Sequence, residues 1–380
     1  MKYYIIILLL FFIYSCSNES KQKSRSALDL PDSLTFEYAK GFEIKHQNNY
    51  KIVSVKNPWQ GAKDVKYDYL LLNKNIHLPS VALNYEVIRT PVERVICLST
   101  THIAFIHVLN ETESIVSISG TDYVNNPGVR QRIENNEIFD VGFDNSLNYE
   151  LIASLEPDLV ITYGIGGQIA GYNQKLNDLG IKTLIIAEYL EDHPLGKLEW
   201  IKLIAALYEK EELAQEYFDA KVLDYNSLAQ LAKKEMMKPK ILLGLPWKST
   251  WYVPGGKSFL AKMISDAGGD YIWKENESRE SLPLGIESVF AMASDANIWI
   301  NTGTVNNKQD ILKLDERFTD FAPFQESKIY NNNLQVNASG GNNYWEQGLV
   351  EPDILLKDLI KIFHPELLPK YKLVYYKIIE

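Results

Sequence analysis

The chain has 380 residues, 46% hydrophobic and 12% aromatic, which is enough for two hydrophobic cores and too apolar for a disordered segment. Its net charge of −10 argues against a nucleic-acid backbone as partner, because phosphate binding needs clustered Lys and Arg. Small molecules and proteins remain.

Taken in order, the N-terminus reads as an export signal over residues 1–15: Lys2, an apolar run from Tyr3 to Phe12, then Ile13-Tyr14-Ser15 before Cys16. The run is shorter than the ~20 apolar residues a spanning helix needs. Ile13 to Cys16 resembles a bacterial lipoprotein box, with a bulky Tyr14 as a departure, and the resemblance implies cleavage before Cys16 and lipidation of its thiol. Residues 16–32 are then a polar tether. Only two cysteines are present, so no disulfide forms within the mature chain, and Cys97 in the run Arg94 to Leu98 reads as a small buried hydrophobe.

Residues 33–90 alternate in hydrophobicity around the turn His46-Gln47-Asn48-Asn49, predicting a hairpin, with a further strand from Tyr67 to Leu72. This is a small N-terminal β extension laid against the first lobe. From Pro91 short apolar runs alternate with helical sequence. Strands are predicted at Val95–Leu98, Ile115–Ile118, Leu159–Thr162 and Thr183–Ile186, with helices such as Tyr149–Leu155 and Gln168–Leu179 between them. That order implies an α/β lobe over 91–194 with a mostly parallel sheet covered by helices.

Residues 195–238 are nearly free of Gly and Pro and carry apolar residues at three- and four-residue spacing: Leu213, Tyr217, Ala220, Val222, Leu223, Leu228, Leu231 and Ala232. A short helix to about Leu207 and a long one from Glu211 to Met237, stopped by Pro239, would join two lobes. The scheme restarts over 239–380, with strands at Lys240–Leu243 and Asn297–Ile300 and helices at Lys257–Ala267, Ile286–Met292 and Ile354–Phe363. The halves share a signature. Glu150 stands eight residues before Asp158 and the strand Leu159-Val160-Ile161, as Glu287 stands eight before Asp295 and the strand Ile298-Trp299-Ile300.

Three segments, Arg94 to His102 leading to Ile115 to Gly120, Tyr149 to Ile161, and Trp251 to Phe259 with Ala267-Gly268-Gly269, resemble the ABC-transporter substrate-binding proteins for iron complexes and cobalamin. The resemblance covers 91 to about 365. It implies two α/β lobes on one long helix and a monomeric, non-enzymatic receptor in the cell envelope, lipid-anchored and periplasmic. Such a receptor holds a metal chelate between its lobes and hands it to an inner-membrane permease. A ferric siderophore or haem-like complex is the first candidate, cobalamin the second, a free divalent metal the third. No resident cofactor or metal is expected, since the six histidines are scattered. A cluster-holding enzyme of the nitrogenase type would need several Cys beyond Cys97.

A large, partly aromatic ligand needs flat walls and a few polar anchors. In strand-end crevices of such sheets the sequence places Thr100, Thr101, Tyr123, Tyr163, Tyr189, Trp247, Trp251, Tyr252 and Trp345, with His102 an alternative between ligand contact and core. Arg279 is the candidate anchor for a carboxylate or catecholate, its planar fork matching two oxygens. The family's permease docking by one outer Glu per lobe falls on Glu287 or the neighbouring Ser288 in the second lobe; the first-lobe stretch set against it, Gly166 to Gly171, holds no acid.

Overall fold

The computed structural model describes residues 36–143, 146–164 and 166–380; the signal segment, Cys16 and the tether lie outside them. Among the described residues no helix is long and apolar enough to cross a membrane.

The N-terminal extension is a four-stranded sheet in the order Phe42–Gln47, Tyr50–Lys56, Lys66–Asn73, Glu86–Thr90, with the last strand parallel to its neighbour. Successive side chains of a strand point to opposite faces, and here both faces are covered. Phe42, Ile44, Val53, Val55, Tyr69, Leu71 and Ile88 share one core with Val95, Ile103 and Phe105 of the first lobe, while Leu70 and Leu72 pack under the helical turn Ser80–Asn84. The extension is therefore part of the first lobe's core and not an appendage on it.

Five parallel strands form the first-lobe sheet, in the order Phe139–Asp140, Ile115–Ile118, Val95–Cys97, Leu159–Thr162, Thr183–Ile185. The second-lobe sheet runs Asp270–Tyr271, Lys240–Leu243, Ile298–Ile300, Ile329–Asn331 and the antiparallel Lys377–Ile378. A second, three-stranded antiparallel sheet, Pro246–Trp247, Thr250–Pro254 and Ser281–Gly285, lies beside it.

Between the lobes the chain runs through Pro194–Glu199 and Ile201–Tyr208, stops at Glu209 in the left-handed region (φ 57°), and continues as the helix Glu211–Ala232. Phe218 on this helix belongs to the first core, Tyr225 and Ala232 to the second, so one helix is shared by both. Its 22 residues span about 33 Å. Two sequence expectations are corrected. The helix ends at Ala232 and not Met237, because Met236 and Met237 find nothing to bury against and stay exposed. The buried stripe is Ala214, Phe218, Tyr225 and Ala232, rotated from the expected one, which leaves Ala220 and Leu223 in solvent.

A second crossing was not foreseen. Residues 346–350 leave the second lobe to pack in the first, where Leu349 and Val350 join its core, before the helix Pro352–Phe363 returns to the second. At this crossing the buried Glu346 carboxylate accepts the main-chain N–H of Asn125 (2.7 Å) and Asn126 (2.8 Å), one per oxygen. Burial raises the pKa of Glu346, and the two amides oppose that shift. Glu346→Gln removes one of the two acceptors, so faster amide hydrogen exchange at Asn125 or Asn126, by about tenfold, is expected; exchange unchanged at both would show that the carboxylate does not hold the lobes together.

Candidate ligand-binding cleft

The carboxyl ends of both parallel sheets face a common cleft with two chambers, and Trp345, half-exposed, lines both. The smaller, about 380 Å³, lies between Thr100 and Tyr123 of the first lobe and Asn301, Thr304 and Asn332 of the second. The larger, about 690 Å³, is of the size that takes a whole small-molecule ligand.

Local sequence explains how the walls of the larger chamber are placed. Ser99 caps the helix Thr100–Val108 by accepting from the Thr101 N–H (3.3 Å), which sets Thr101 at the strand end. On the second lobe, Pro254-Gly255-Gly256 runs flush against residues 274–280. A Cβ on Gly255 would lie 2.2 Å from the Ser278 carbonyl oxygen, and one on Gly256 would lie 2.4 Å from those of Lys274 and Asn276. Only glycine permits that approach, and it holds Arg279 at the chamber's rim. Ser258 then caps the helix Phe259–Asp266 through the Ala261 N–H (3.2 Å).

The electrostatics of the floor are unusual. The Lys197 ammonium lies 4.0 Å over the Phe259 ring and is in no ion pair among the described residues; burial pulls its pKa down, with Glu188 opposing. Glu188 is itself buried, its pKa raised by desolvation and held back by Lys197 and by a hydrogen bond with Thr101. Neighbouring Tyr189 donates to the Gly164 carbonyl (2.7 Å), and burial with the Glu188 charge pushes its pKa up to about 12. At the rim Asp192 pairs with Lys40 (2.6 Å) and stands 4.0 Å from Arg279.

The sequence-expected site residues divide accordingly. Thr101, Tyr189, Arg279 and Trp345 line the larger chamber; Thr100, Tyr123 and again Trp345 line the smaller. Tyr163 packs beside His102 (ring centroids 6.4 Å apart) and lines neither chamber. His102 is fully buried and burial drives its pKa down to about 3, which makes it a neutral core residue. Trp251 is corrected outright. The segment expected to be an exit loop is a strand paired with Ser281–Gly285, so alternation sends Trp251 and Val253 inward and Tyr252 outward. Trp251 is fully buried between Trp299 (5.9 Å) and Phe318 (5.8 Å) and donates its ring N–H to the Leu243 carbonyl (2.9 Å). Trp247 and Tyr252, 64% and 50% exposed on that sheet, line neither chamber.

Sequence reasoning missed Lys197, which sits in an unremarkable helical stretch, and misaligned the outer acids. Glu287 is the second residue of the helix Ile286–Ala293, exposed and paired with Arg317 (2.9 Å). Its structural counterpart is Glu150, the second residue of the helix Tyr149–Ser154, also exposed and also preceding a strand that pairs in parallel with the first strand of its lobe, Val95–Cys97 as against Lys240–Leu243. The Gly166 to Gly171 stretch instead leads into the next helix, Ile169–Asp178. The Glu–Asp spacing repeated in both halves already named Glu150.

Comparison with known proteins agrees with this architecture. The sequence model of the periplasmic binding protein family matches residues 95–331. An uncharacterized lipoprotein of Methanocaldococcus jannaschii is 30% identical over 358 residues, covering 87% of this chain and 81% of its own. Among solved structures, a periplasmic haem-binding protein of Pseudomonas aeruginosa superposes with TM-score 0.57 at 15% identity, over 76% of this chain and 98% of that one. A possible iron-binding (periplasmic solute-binding) protein of Staphylococcus epidermidis gives TM-score 0.56 at 18% identity, over 72% and 99%.

Proposed function

The chain belongs to the periplasmic binding protein family, and we propose that within it the protein is the receptor of an ABC importer for an anionic iron chelate, a ferric siderophore or haem-like complex. The observation that carries this reading is the charge of the larger chamber. Five cations line it against three carboxylates, Glu188, Glu191 and Glu280; of the cations, Lys63 and Lys197 are in no ion pair among the described residues and Arg279 reaches Asp192 only at 4.0 Å, beside the aromatic surfaces of Tyr189 and Trp345. A water-accessible chamber with spare cations and flat walls suits a bulky anion better than the uncharged cyanocobalamin, the second candidate, or a bare divalent cation. Binding and release are the whole of the proposed activity, and no reaction is assigned.

In this reading Cys16 carries the lipid anchor in the cell envelope, the protein works as a single copy, and Glu150 and Glu287 present one acid per lobe to Arg residues of the permease. Fluorescence-quenching titrations with haemin, a ferric tris-catecholate, a ferric hydroxamate and cyanocobalamin test the cargo class; binding of cyanocobalamin alone would sink the anionic reading.

Lys197 makes a sharper prediction. A hydrogen bond to a charged group contributes about 1.5–3 kcal/mol, so Lys197→Gln should weaken the bound anionic probe about ten- to a hundredfold. Because burial sets the Lys197 pKa below the ordinary 10.5, the ammonium is lost as pH rises before that value is reached. Wild-type affinity should therefore fall on the alkaline side, and the Lys197→Gln profile should be flat there. Equal affinities and parallel profiles would remove Lys197 from the site.

A further inference from the structure

The N-terminal sheet lies outside the residues matched to the family, yet its loop between Lys56 and Lys66 faces the larger chamber with Trp59, Gln60, Ala62 and Lys63. We propose that this sheet is a fixed third wall of the cargo site: the loop touches the bound chelate, Trp59 and Ala62 set the chamber's width, and Lys63 favours negatively charged cargo. This rests on the chelate-receptor reading.

The loop is built rather than slack. Its neck is closed by the Asn57 N–H on the Val65 carbonyl (2.8 Å) and the Val65 N–H on the Asn57 side chain (3.1 Å). Asn57 (φ 46°) and Asp64 (φ 56°), of the residue types that best tolerate the left-handed region, turn the chain at both ends, and the Ala62 N–H closes an inner turn on the Trp59 carbonyl (3.1 Å). The Gln60 main chain hydrogen-bonds with Tyr189, and the Trp59 indole nitrogen comes near Gly167, so the loop is seated on first-lobe residues at the cleft.

The sheet that carries it cannot swing. Beyond the shared core, the buried Glu199 carboxylate accepts the main-chain N–H groups of Glu37, Tyr38 and Ala39, the last two at 2.9 and 2.8 Å. Glu191 accepts those of Lys40 and Gly41 and the Trp200 ring N–H (2.9 Å).

Trp59 differs from the tryptophans that hold the fold. Trp200, Trp251 and Trp299 are fully buried in the cores, whereas Trp59 belongs to no core cluster among the described residues and has no partner for its ring N–H there. Its one ring neighbour among them is Tyr67, edge-on at 6.2 Å. A half-buried indole on a rigid loop facing a chamber is available to a ligand at little ordering cost. Lys63 beside it has no carboxylate partner among the described residues, and across the chamber stands Arg279 of the other lobe, so cargo held there would meet cations from both sides.

Calorimetric titration of the full chain with haemin, a ferric tris-catecholate and a ferric hydroxamate tests this. For whichever probe the wild type binds, Trp59→Ala should weaken binding at least tenfold, Ala62→Trp at least a hundredfold by filling the chamber, and Lys63→Glu about tenfold, with melting temperatures within a few degrees of wild type. Lys63 is exposed, so its variant keeps the fold even if the others do not. If the variants match the wild type within twofold, the sheet is scaffold only and the receptor reading stands. If the wild type binds none of the probes, the receptor reading falls and the third wall falls with it.

Discussion

Trp251→Ala is expected to destabilise the second lobe by about 3–5 kcal/mol, the usual cost of truncating a core aromatic, while leaving chelate affinity of the folded protein within twofold of wild type. The ring is enclosed by Trp299 and Phe318, and its N–H holds the Leu243 carbonyl, so the variant loses packing, gains a cavity and orphans an acceptor at the end of the strand Lys240–Leu243. In differential scanning calorimetry the second-lobe transition should fall by about 10 °C. An unchanged melting curve with a tenfold loss of binding would return Trp251 to the cargo site.

Reversing both outer acids, Glu150→Arg with Glu287→Arg, is expected to cut uptake of labelled chelate by at least a hundredfold without altering its affinity for the receptor. If Glu150 and Glu287 meet Arg residues of a permease as proposed, placing a cation there would cost several kcal/mol through like-charge juxtaposition at each lobe. Either single reversal should cost about tenfold. Both residues are exposed in the first turn of their helices, away from the cleft's lining, so stability should move little; Arg317, left facing a second Arg at position 287, is itself half-exposed and screened. Wild-type uptake by the double variant would show that docking uses another surface.

The strands of both lobes were legible because each is a short apolar run between polar turns: Ile115–Ile118, Leu159–Thr162 and Lys240–Leu243 stand where the sequence put them. Positions depending on partners distant in sequence were not. Thr250–Pro254 looks like a loop until Ser281–Gly285 is seen to pair with it, and that pairing is what turns Trp251 inward. The connecting helix was legible as a helix, but its buried face depends on two cores at once, and no single periodicity encodes both. Arg279 and Trp345 were assigned to the cleft because their types suit an anionic aromatic ligand, and both line the larger chamber. Lys197 was missed because a lysine in a helix looks solvated until the Phe259 ring and Glu188 are placed around it.

The clasp made by Glu346 bears on how the cargo leaves. Parting the Asn125–Asn126 turn from the segment that carries Glu346 breaks two charge-assisted hydrogen bonds, together worth on the order of 3–6 kcal/mol, so this contact adds to the work of opening the cleft. On the proposed receptor reading, cargo held between the lobes leaves more slowly the more that contact resists, and a partner that supplies the work would speed its discharge. If a permease docks on Glu150 and Glu287 as proposed, it would grip the receptor on each side of the clasp, and its own conformational cycle would time the release.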